Sequence, residues 1–311
     1  MRSKLIPFIV AILFVFYFCR PENSRVRSES NLNWYRGNTH THAQFSDEND
    51  SNDVPVIAKW YKDAGYDFLV LSEHNDHVMV KKVFCHDEAS DLPGFLMICG
   101  LELSNSRHHS AIGINYYIGD ETSLKDGVEK IVAAGGIPIL NHPQDPVVTA
   151  SDFIATEGLN HLEIINGGRP GDTPATELLW DSIMSAPDGR IVYGVGSDDN
   201  HYKEANVGRG WIMVRSPALT KADIMESLRK GDFYATTGVL LTEYKVTNRR
   251  VDIESQNGDT IIFTGRSGKV LKTVADSKAR YNIRGDEYYV RAKITNADGK
   301  AAWTQPVLIK P

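Results

Sequence analysis

The stretch Asp67-Phe-Leu-Val-Leu-Ser-Glu-His-Asn75 shows the pattern that organises the first two thirds of this chain. A short continuous apolar run is typical of a strand that is buried on both faces of a sheet. Here the run is followed at once by polar residues with ligand chemistry. The same pattern predicts four further strands, at Phe95–Leu103, Ile137–Leu140, His161–Ile165 and Ile191–Val195.

Helix-like segments separate these runs, at residues 54–64, 122–134, 173–186 and 220–230. An alternation of short strands and helices indicates a parallel sheet or a (β/α) barrel, which we assign to residues 33–240. After residue 240 the pattern changes to period-2 alternation with Asn257-Gly258 and Asp298-Gly299 turns. These features predict a small antiparallel β-sandwich over residues 241–311.

The composition excludes several classes of protein. The 311 residues include 41% hydrophobic residues and 34 Lys+Arg against 40 Asp+Glu, a net charge of −6. These values are ordinary for a soluble globular chain, and the absence of a basic excess argues against nucleic-acid binding. The three cysteines are too few for a disulfide scaffold, and pairing of Cys85 with Cys99 stays open.

The first 19 residues are predicted to be an export signal or a lipoprotein-type anchor, and residues 20–32 a linker. Arg2 and Lys4 precede the apolar run Leu5–Phe18, which is short for a bilayer span. Cys19 lies where a lipidated cysteine follows cleavage, but the bulky Phe18 precedes it. A lipoprotein, a cleaved protein and an uncleaved anchor therefore stay open. Each predicts a periplasmic or cell-surface protein whose membrane contact is limited to this segment.

Candidate metal ligands begin with His40-Thr41-His42. On an extended strand, residues i and i+2 point the same way, so both imidazoles can reach one ion. Other candidate ligands follow apolar strand runs, and the carboxyl ends of barrel strands converge on one face. They are Asp47, His74, Glu102, His142, Asp199 and His201. Imidazole and carboxylate donors without thiolates favour Zn²⁺, Mn²⁺ or Fe over a structural cysteine-type zinc site.

These motifs together resemble the PHP superfamily, the phosphoesterases related to polymerase-associated and histidinol-phosphatase domains. The resemblance covers residues 34–240 and rests on five motifs in a fixed order. They are Gly37-Asn-Thr-His-Thr-His42, Ser72-Glu-His-Asn75, Gly100-Leu-Glu102, Asn141-His-Pro143 and Gly196-Ser-Asp-Asp-Asn-His201. The resemblance implies a distorted seven-stranded (β/α) barrel that carries two or three divalent ions.

The resemblance also implies how the ligands divide among three ions. The first ion would be held by His40, His42, Glu102 and Asp199. The second would share Glu102 and add His109 and His142. The third would be held by Asp47, His74 and His201.

The sequence departs from the superfamily pattern at three points. Glu73 stands where an Asp usually precedes the histidine, and we interpret it as a residue that supports the ligands. His109 is preferred to its neighbour His108 because its spacing to the following strand fits better. Asp199 is preferred to Asp198 because it lies two residues before the last histidine of its motif. Both alternatives stay open.

Three arginines are candidates to hold an anionic substrate, because the planar guanidinium matches phosphate and carboxylate oxygens. They are Arg36, Arg169 and Arg209, and Arg169 is the first choice because its Gly-rich loop directly follows a strand. Glu163 and Asn166, at the end of that strand, are predicted to point toward the site.

The sequence thus predicts a metal-dependent hydrolase, specifically a phosphoesterase that uses a metal-bridging hydroxide. An unliganded histidine such as His108, or a metal-bound water, would protonate the leaving group. The expected substrate is a small-molecule or polymer-derived phosphoester. Two alternatives stay open: carboxylesterase or amidohydrolase-like activity at the same site, and an exported binding protein without enzymatic activity.

Overall fold

The computed structural model describes residues 32–43, 53–75, 92–201 and 204–309, which belong to one compact unit. The predictions for the export segment, for Asp47 and for Cys85 lie outside these residues. Within the described residues, no helix is both long and apolar enough to cross a bilayer. Cys99 is fully buried and disulfide-bonded, and its partner lies outside the described residues.

The described residues form seventeen strands and five α-helices. The strands are β1 (Asn33–Asn38), β2 (Phe68–His74), β3 (Leu96–Leu103), β4 (His109–Ile112), β5 (Ile137–Leu140), β6 (His161–Asn166), β7 (Tyr193–Ser197), β8 (Trp211–Ser216), β9 (Phe233–Thr236), β10 (Leu241–Val246), β11 (Arg250–Ser255), β12 (Thr260–Thr264), β13 (Val270–Val274), β14 (Lys278–Asn282), β15 (Tyr289–Thr295), β16 (Ala301–Thr304) and β17 (Val307–Leu308). The helices are α1 (Val54–Asp63), α2 (Leu124–Ala133), α3 (Ala150–Ile154), α4 (Thr173–Ser185) and α5 (Lys221–Lys230).

Strands β1 to β7 are neighbours in chain order within one large sheet. Strands β1, β2 and β3 are parallel, β5, β6 and β7 are parallel, and β4 is antiparallel to both of its neighbours. Backbone hydrogen bonds also join the segments that follow β1 and β7: Asp199 N–H donates to His40 O (3.1 Å), and His42 N–H to Asn200 O (2.9 Å). The predicted mixed α/β fold is confirmed, while the count of seven barrel strands stays a prediction.

The C-terminal strands are antiparallel, as predicted. Strands β10, β11 and β14 form a separate three-stranded sheet. Strands β12, β13, β15 and β16 instead continue the large sheet, because β16 pairs with β9, and β9 with β8. Apolar residues of both sheets enclose a common core. The predicted boundary at residue 240 falls between β9 and β10 and stays a prediction.

The central strands owe their burial to continuous apolar sequence. Phe68, Leu69, Val70 and Leu71 are all fully buried, with alternate side chains in the two main hydrophobic clusters. Gly37 allows β1 to lie against this strand, because a Cβ atom there would lie 1.9 Å from Phe68 Cζ. The strand that ends at the candidate ligand His74 is therefore fixed on both faces.

A buried ion pair joins the helical layer to the C-terminal strands. Asp181 of α4 accepts hydrogen bonds from Arg291 Nη2 (2.6 Å) and Nε (2.9 Å) and from the Tyr289 hydroxyl (2.6 Å). Both members of the ion pair are buried. The fork of the guanidinium matches the carboxylate, which fixes the orientation of α4 against β15.

Candidate metal centre

Seven of the predicted ligands converge at the carboxyl ends of strands of the large sheet. They follow or end β1, β2, β3, β5 and β7, so they come from five different strands. We call this group, together with His108, the metal centre: it consists of His40, His42, His74, Glu102, His108, His142, Asp199 and His201. Its members form three triads, of which two share His42, and in each triad one ligand atom of each residue lies within 4.8 Å of the others.

Glu102 lies in the middle of the metal centre and is buried. Its Oε1 lies 3.2 Å from His40 Nε2, 3.2 Å from His108 Nδ1 and 3.4 Å from His142 Nε2. Its Oε2 lies 3.1 Å from His74 Nδ1 and 3.5 Å from His42 Nε2. Both oxygens of this carboxylate are therefore shared among imidazoles, as expected of a carboxylate that bridges two ions.

Asp199 is the second carboxylate. Its buried Oδ1 makes no hydrogen bond within the described part of the chain. Three imidazole nitrogens nevertheless approach it: Nε2 of His40 at 3.2 Å, of His42 at 3.5 Å and of His201 at 3.4 Å. The Nε2 atoms of His40 and His42 lie only 3.1 Å apart. A buried polar atom without a hydrogen bond is rare, and a bound cation would supply the missing partner.

The spacing of these atoms fits a divalent ion. Two ligands that each lie about 2.1 Å from one ion at a tetrahedral angle are about 3.4 Å apart. The nitrogen–oxygen distances around Glu102 and Asp199 run from 3.1 to 3.5 Å. The donors are imidazole nitrogens and carboxylate oxygens, which suit Zn²⁺, Mn²⁺ or Fe. The residues present therefore fit the predicted metal ions.

The structure places His108 in the metal centre, whereas His109, the ligand that the sequence favoured, lies outside it. Ser110 pairs directly with Glu102 across β3 and β4, so its side chain and that of His108 lie on the face of Glu102. His109 points to the opposite face. There its ring packs against α2, since a Cβ atom on Gly127 would lie 2.1 Å from His109 Nε2. His108, which was predicted as an unliganded proton donor, thus lies among the candidate ligands.

The structure separates the two adjacent aspartates as the sequence preference expected. Asp198 points away from the metal centre and accepts backbone N–H groups from Arg209 (2.7 Å), Gly210 (2.9 Å) and Gly208 (3.0 Å). Asp199 has a φ of 48°, a left-handed conformation that is rare outside glycine. Such strain is typical of functional positions, and here it directs the Asp199 carboxylate at the imidazoles.

Supporting side chains hold the ligands from behind. The buried Glu73 accepts the Ala43 backbone N–H (3.0 Å), which anchors the segment after the first two histidines. Asn141 was not anticipated from the sequence, although it immediately precedes a predicted ligand. Its Nδ2 donates to Glu102 Oε1 at 2.8 Å. Outer hydrogen bonds of this kind fix the orientation of metal-binding groups.

Glu163 is the most highly connected of these supports and is buried. Its Oε1 lies 3.1 Å from His40 Nδ1 and also accepts the Ser197 hydroxyl. Its Oε2 accepts the His142 backbone N–H (2.7 Å) and Asn166 Nδ2 (2.8 Å). The sequence predicted that this strand end faces the site, but not that its carboxylate would orient His40.

The surroundings shift the pKa values of the imidazoles in different directions. Burial lowers the pKa of His42 to about 4 and that of His74 to about 3, so both are neutral near pH 7 and offer a lone pair. Burial also opposes charge on His40, but the carboxylates of Asp199, Glu102 and Glu163 outweigh it and raise its pKa well above the ordinary value. His40 therefore holds a proton that a metal ion must displace.

The predicted arginines take different positions. The Arg36 guanidinium packs between the rings of Tyr66 (4.1 Å) and Trp211 (4.0 Å) and donates to Ala64 O. These contacts hold it away from the metal centre, so the structure does not bring Arg36 together with the candidate ligands. Arg169 is partly exposed and pairs with the Asp145 carboxylate at 2.6 Å.

Asp145 links Arg169 to the rim of the metal centre. The backbone oxygen of Asp145 lies 2.8 Å from His142 Nδ1 and orients that imidazole. The Asp145 carboxylate in turn holds Arg169. Arg169 therefore stays a candidate for substrate binding, and Arg209 is exposed beside the loop that follows β6.

Comparison with solved structures places this fold. A two-domain protein containing a predicted PHP-like metal-dependent phosphoesterase, from Bacteroides vulgatus ATCC 8482, matches with a TM-score of 0.51 and 17% identity, over 89% of this chain and 96% of that chain. PsfC from Pseudomonas syringae PB-5123 matches with a TM-score of 0.47 and 13% identity, over 63% of this chain and 88% of that chain. No family model and no curated protein matches the chain. The chain thus shares the fold of the two-domain PHP-like protein, which confirms for the fold the resemblance that the motifs indicate.

Proposed function

We propose that this protein is an exported metal-dependent hydrolase that cleaves phosphoric esters. The observation that carries the proposal is the buried Glu102 carboxylate, which five imidazole nitrogens approach within 3.5 Å. A carboxylate shared in this way is suited to hold two divalent ions side by side. The PHP-like fold supports the same reaction class, since the Bacteroides protein is described as containing such a phosphoesterase.

Two or three ions of Zn²⁺, Mn²⁺ or Fe are proposed as cofactors. His40, His42, Asp199 and Glu102 would hold the first ion. Glu102 would also serve the second, with His108 and His142, while His74 and His201 would hold the third together with Asp47. Such ions supply Lewis acidity, which activates water and neutralises charge that develops on the ester oxygens.

The protein's own residues would position the substrate on the open side of the metal centre. His40 and His42 are fully buried, whereas the side chains of His74, His108 and His201 are 20%, 29% and 36% exposed. Substrate therefore approaches over the exposed imidazoles. Arg169, at the rim, would bind the phosphoryl oxygens through its planar guanidinium.

The predicted location and architecture remain part of the proposal. The apolar N-terminal segment supports export, and the disulfide of Cys99 supports an oxidising compartment. We also propose that β1–β7 form the seven-stranded barrel, because hydrogen bonds from Asp199 to His40 and from His42 to Asn200 join the segments that follow its first and last strands. The proposed substrate is a phosphoester and not a nucleic acid.

The experiment compares Asp199→Ala and His142→Ala with wild type and with Asp188→Ala, which alters an exposed aspartate in a loop. After loading with Mn²⁺ or Zn²⁺, the two site variants should lose hydrolysis of p-nitrophenyl phosphate and bind less metal, while circular dichroism shows an intact fold. Full turnover in either variant contradicts the proposal.

A panel of phosphomonoesters, phosphodiesters and aryl carboxylic esters then tests the bond that is cleaved. Phosphoester cleavage supports the proposal, and cleavage of aryl esters alone replaces it with the carboxylesterase alternative. Wild-type protein that binds metal but cleaves none of these substrates favours a binding protein.

A further inference from the structure

A cavity of about 560 Å³ opens beside the metal centre, between the carboxyl end of β6 and strands β15 and β16. We call it the side cavity. Residues of the barrel loops and of the C-terminal strands face each other across it. The residues that define it are Asn166, Gly167, Arg209, Lys293, Lys300 and Trp303.

Asn166 connects the side cavity to the metal centre. Its Nδ2 donates to Asp199 Oδ2 at 3.0 Å, and its Oδ1 accepts the Gly168 backbone N–H at 2.9 Å. The same side chain therefore lines the cavity and contacts a proposed metal ligand. A molecule bound at the metal centre and extending past Asn166 would reach the side cavity.

The barrel wall of the side cavity is held rigidly. Gly167 donates its N–H to Ser197 O at 2.8 Å, which joins the end of β6 to that of β7. A Cβ atom on Gly167 would lie 2.8 Å from Arg209 Cβ and 3.0 Å from the Asp198 backbone. Only glycine allows this approach, and the approach fixes the backbone that carries Arg209 at the cavity.

The charges that line the side cavity do not cancel. Lys293 is paired with Glu177 at 2.6 Å and lies over the Trp303 ring at 5.1 Å. Arg209 and Lys300 are exposed at the cavity and make no ion pair within the described residues. The side cavity therefore carries an excess of two positive charges.

Trp303 supplies a second and independent observation. Its side chain lines the cavity although the residue is only 3% exposed. Its indole Nε1 has no hydrogen-bond acceptor in the described part of the chain. A buried N–H without an acceptor is rare, and an acceptor on a ligand would satisfy it. An anionic ligand would satisfy both the two cations without an ion pair and the indole N–H without an acceptor.

We propose that the side cavity binds a second anionic group of the substrate. The proposal rests on the proposed phosphoesterase function: the scissile phosphate would lie at the metal centre, and a distal phosphate or carboxylate would lie between Arg209 and Lys300. The Trp303 ring and the Lys293 side chain form the apolar and cationic floor beneath it. The preferred substrates are then molecules that carry two anionic groups separated by a linker.

The test measures how kcat/KM of the metal-loaded protein depends on the length of the substrate. Unbranched alkanediol bisphosphates of increasing length are compared with alkyl monophosphates of the same lengths. At the matching length, the bisphosphate should exceed the monophosphate in kcat/KM by about tenfold, as expected for charge-assisted hydrogen bonds. The same comparison with ω-carboxyalkyl phosphates distinguishes a distal phosphate from a distal carboxylate.

Variants link this preference to the side cavity. The double variant Arg209→Gln/Lys300→Gln should bring the ratio of the two kcat/KM values close to unity. Lys125→Gln, which alters an exposed lysine on α2, is the matched control and should keep the preference. No preference at any length, or a preference that survives the double variant, overturns the proposal.

A binding arm separates this proposal from the phosphoesterase assignment. If the metal-loaded protein hydrolyses no phosphoester, the proposed function fails, and alkane bisphosphonates are then titrated against alkyl phosphonates by calorimetry. Tighter binding of the bisphosphonate, lost in the double variant, still supports the anionic subsite. Equal affinity of the two probes overturns it.

Discussion

Replacing Glu163 with glutamine tests whether this buried carboxylate holds the geometry of the metal centre. Its two oxygens receive four donors: His40 Nδ1 at 3.1 Å, the Ser197 hydroxyl, the His142 backbone N–H at 2.7 Å and Asn166 Nδ2 at 2.8 Å. Glutamine has nearly the same shape, but an amide NH₂ replaces one oxygen and cannot accept a hydrogen bond. Two of the four donors therefore face another donor in either orientation of the amide.

The expected result of Glu163→Gln is a metal affinity about 10- to 100-fold weaker, or about 1.4–2.8 kcal/mol, as is typical for lost hydrogen bonds behind metal ligands. If the NH₂ group faces His40 Nδ1, it favours the tautomer that carries its proton on Nε2, which removes a ligand lone pair. Competition with a chromogenic chelator measures the Zn²⁺ affinity, and the melting temperature of the metal-free protein reports the fold.

Glu129→Gln is the matched control, because Glu129 is an exposed glutamate on α2 whose only described ion pair is with Lys125. It should leave the metal affinity unchanged. If Glu163→Gln binds Zn²⁺ within about twofold of wild type while its metal-free fold is intact, the orienting role of Glu163 is refuted.

Three further predictions address the ligands and the fold. His108→Ala should lose bound metal, whereas His109→Ala should keep it and melt at a lower temperature. Equal metal loss in both variants, measured by elemental analysis, would contradict the placement of His108, and not His109, in the metal centre. Nearby carboxylates raise the pKa of His40 and that of His142 despite their burial, so metal ions must displace protons from these ligands. Metal affinity should therefore rise with pH, with one or more protons released per chain near pH 7, and calorimetric heats that do not depend on the ionisation enthalpy of the buffer would disprove this. Asp181→Ala leaves the buried Arg291 without its partner and should lower the free energy of unfolding in urea by about 3–5 kcal/mol, and a loss below about 1 kcal/mol would contradict the assigned role of the pair.

Most of the local structure of the barrel could be predicted from the sequence. The five predicted strands and four predicted helices begin and end within two residues of those observed. Continuous apolar runs are a strong local signal, and Gly135, with a φ of 81°, follows the end of α2 as expected of a helix stop. The positions that follow these runs also indicated most of the metal centre, because strand ends converge in this class of fold.

Strands β8 and β9 and the continuity of the large sheet were not predicted. Strand β8 pairs antiparallel with β1, more than 170 residues earlier in the chain, and β9 pairs with β16. Such pairings depend on partners far apart in sequence, and no local pattern encodes them. The C-terminal strands therefore belong partly to the large sheet, and this arrangement places Lys300 and Trp303 at the cavity that Asn166 also lines.

The sequence by itself determined the alternation of five strands and four helices, the pair His40 and His42, and the kind of donors that the metal centre offers. Only the tertiary structure decided which of His108 and His109 joins that centre. Neighbouring residues of a strand point to opposite faces, so the choice depends on the register of β4 against Glu102. Likewise, Arg36 has the right chemistry for an anion, but its position between two aromatic rings directs it elsewhere. Residue type is local information, whereas the direction of a side chain is set by what the whole fold packs around it.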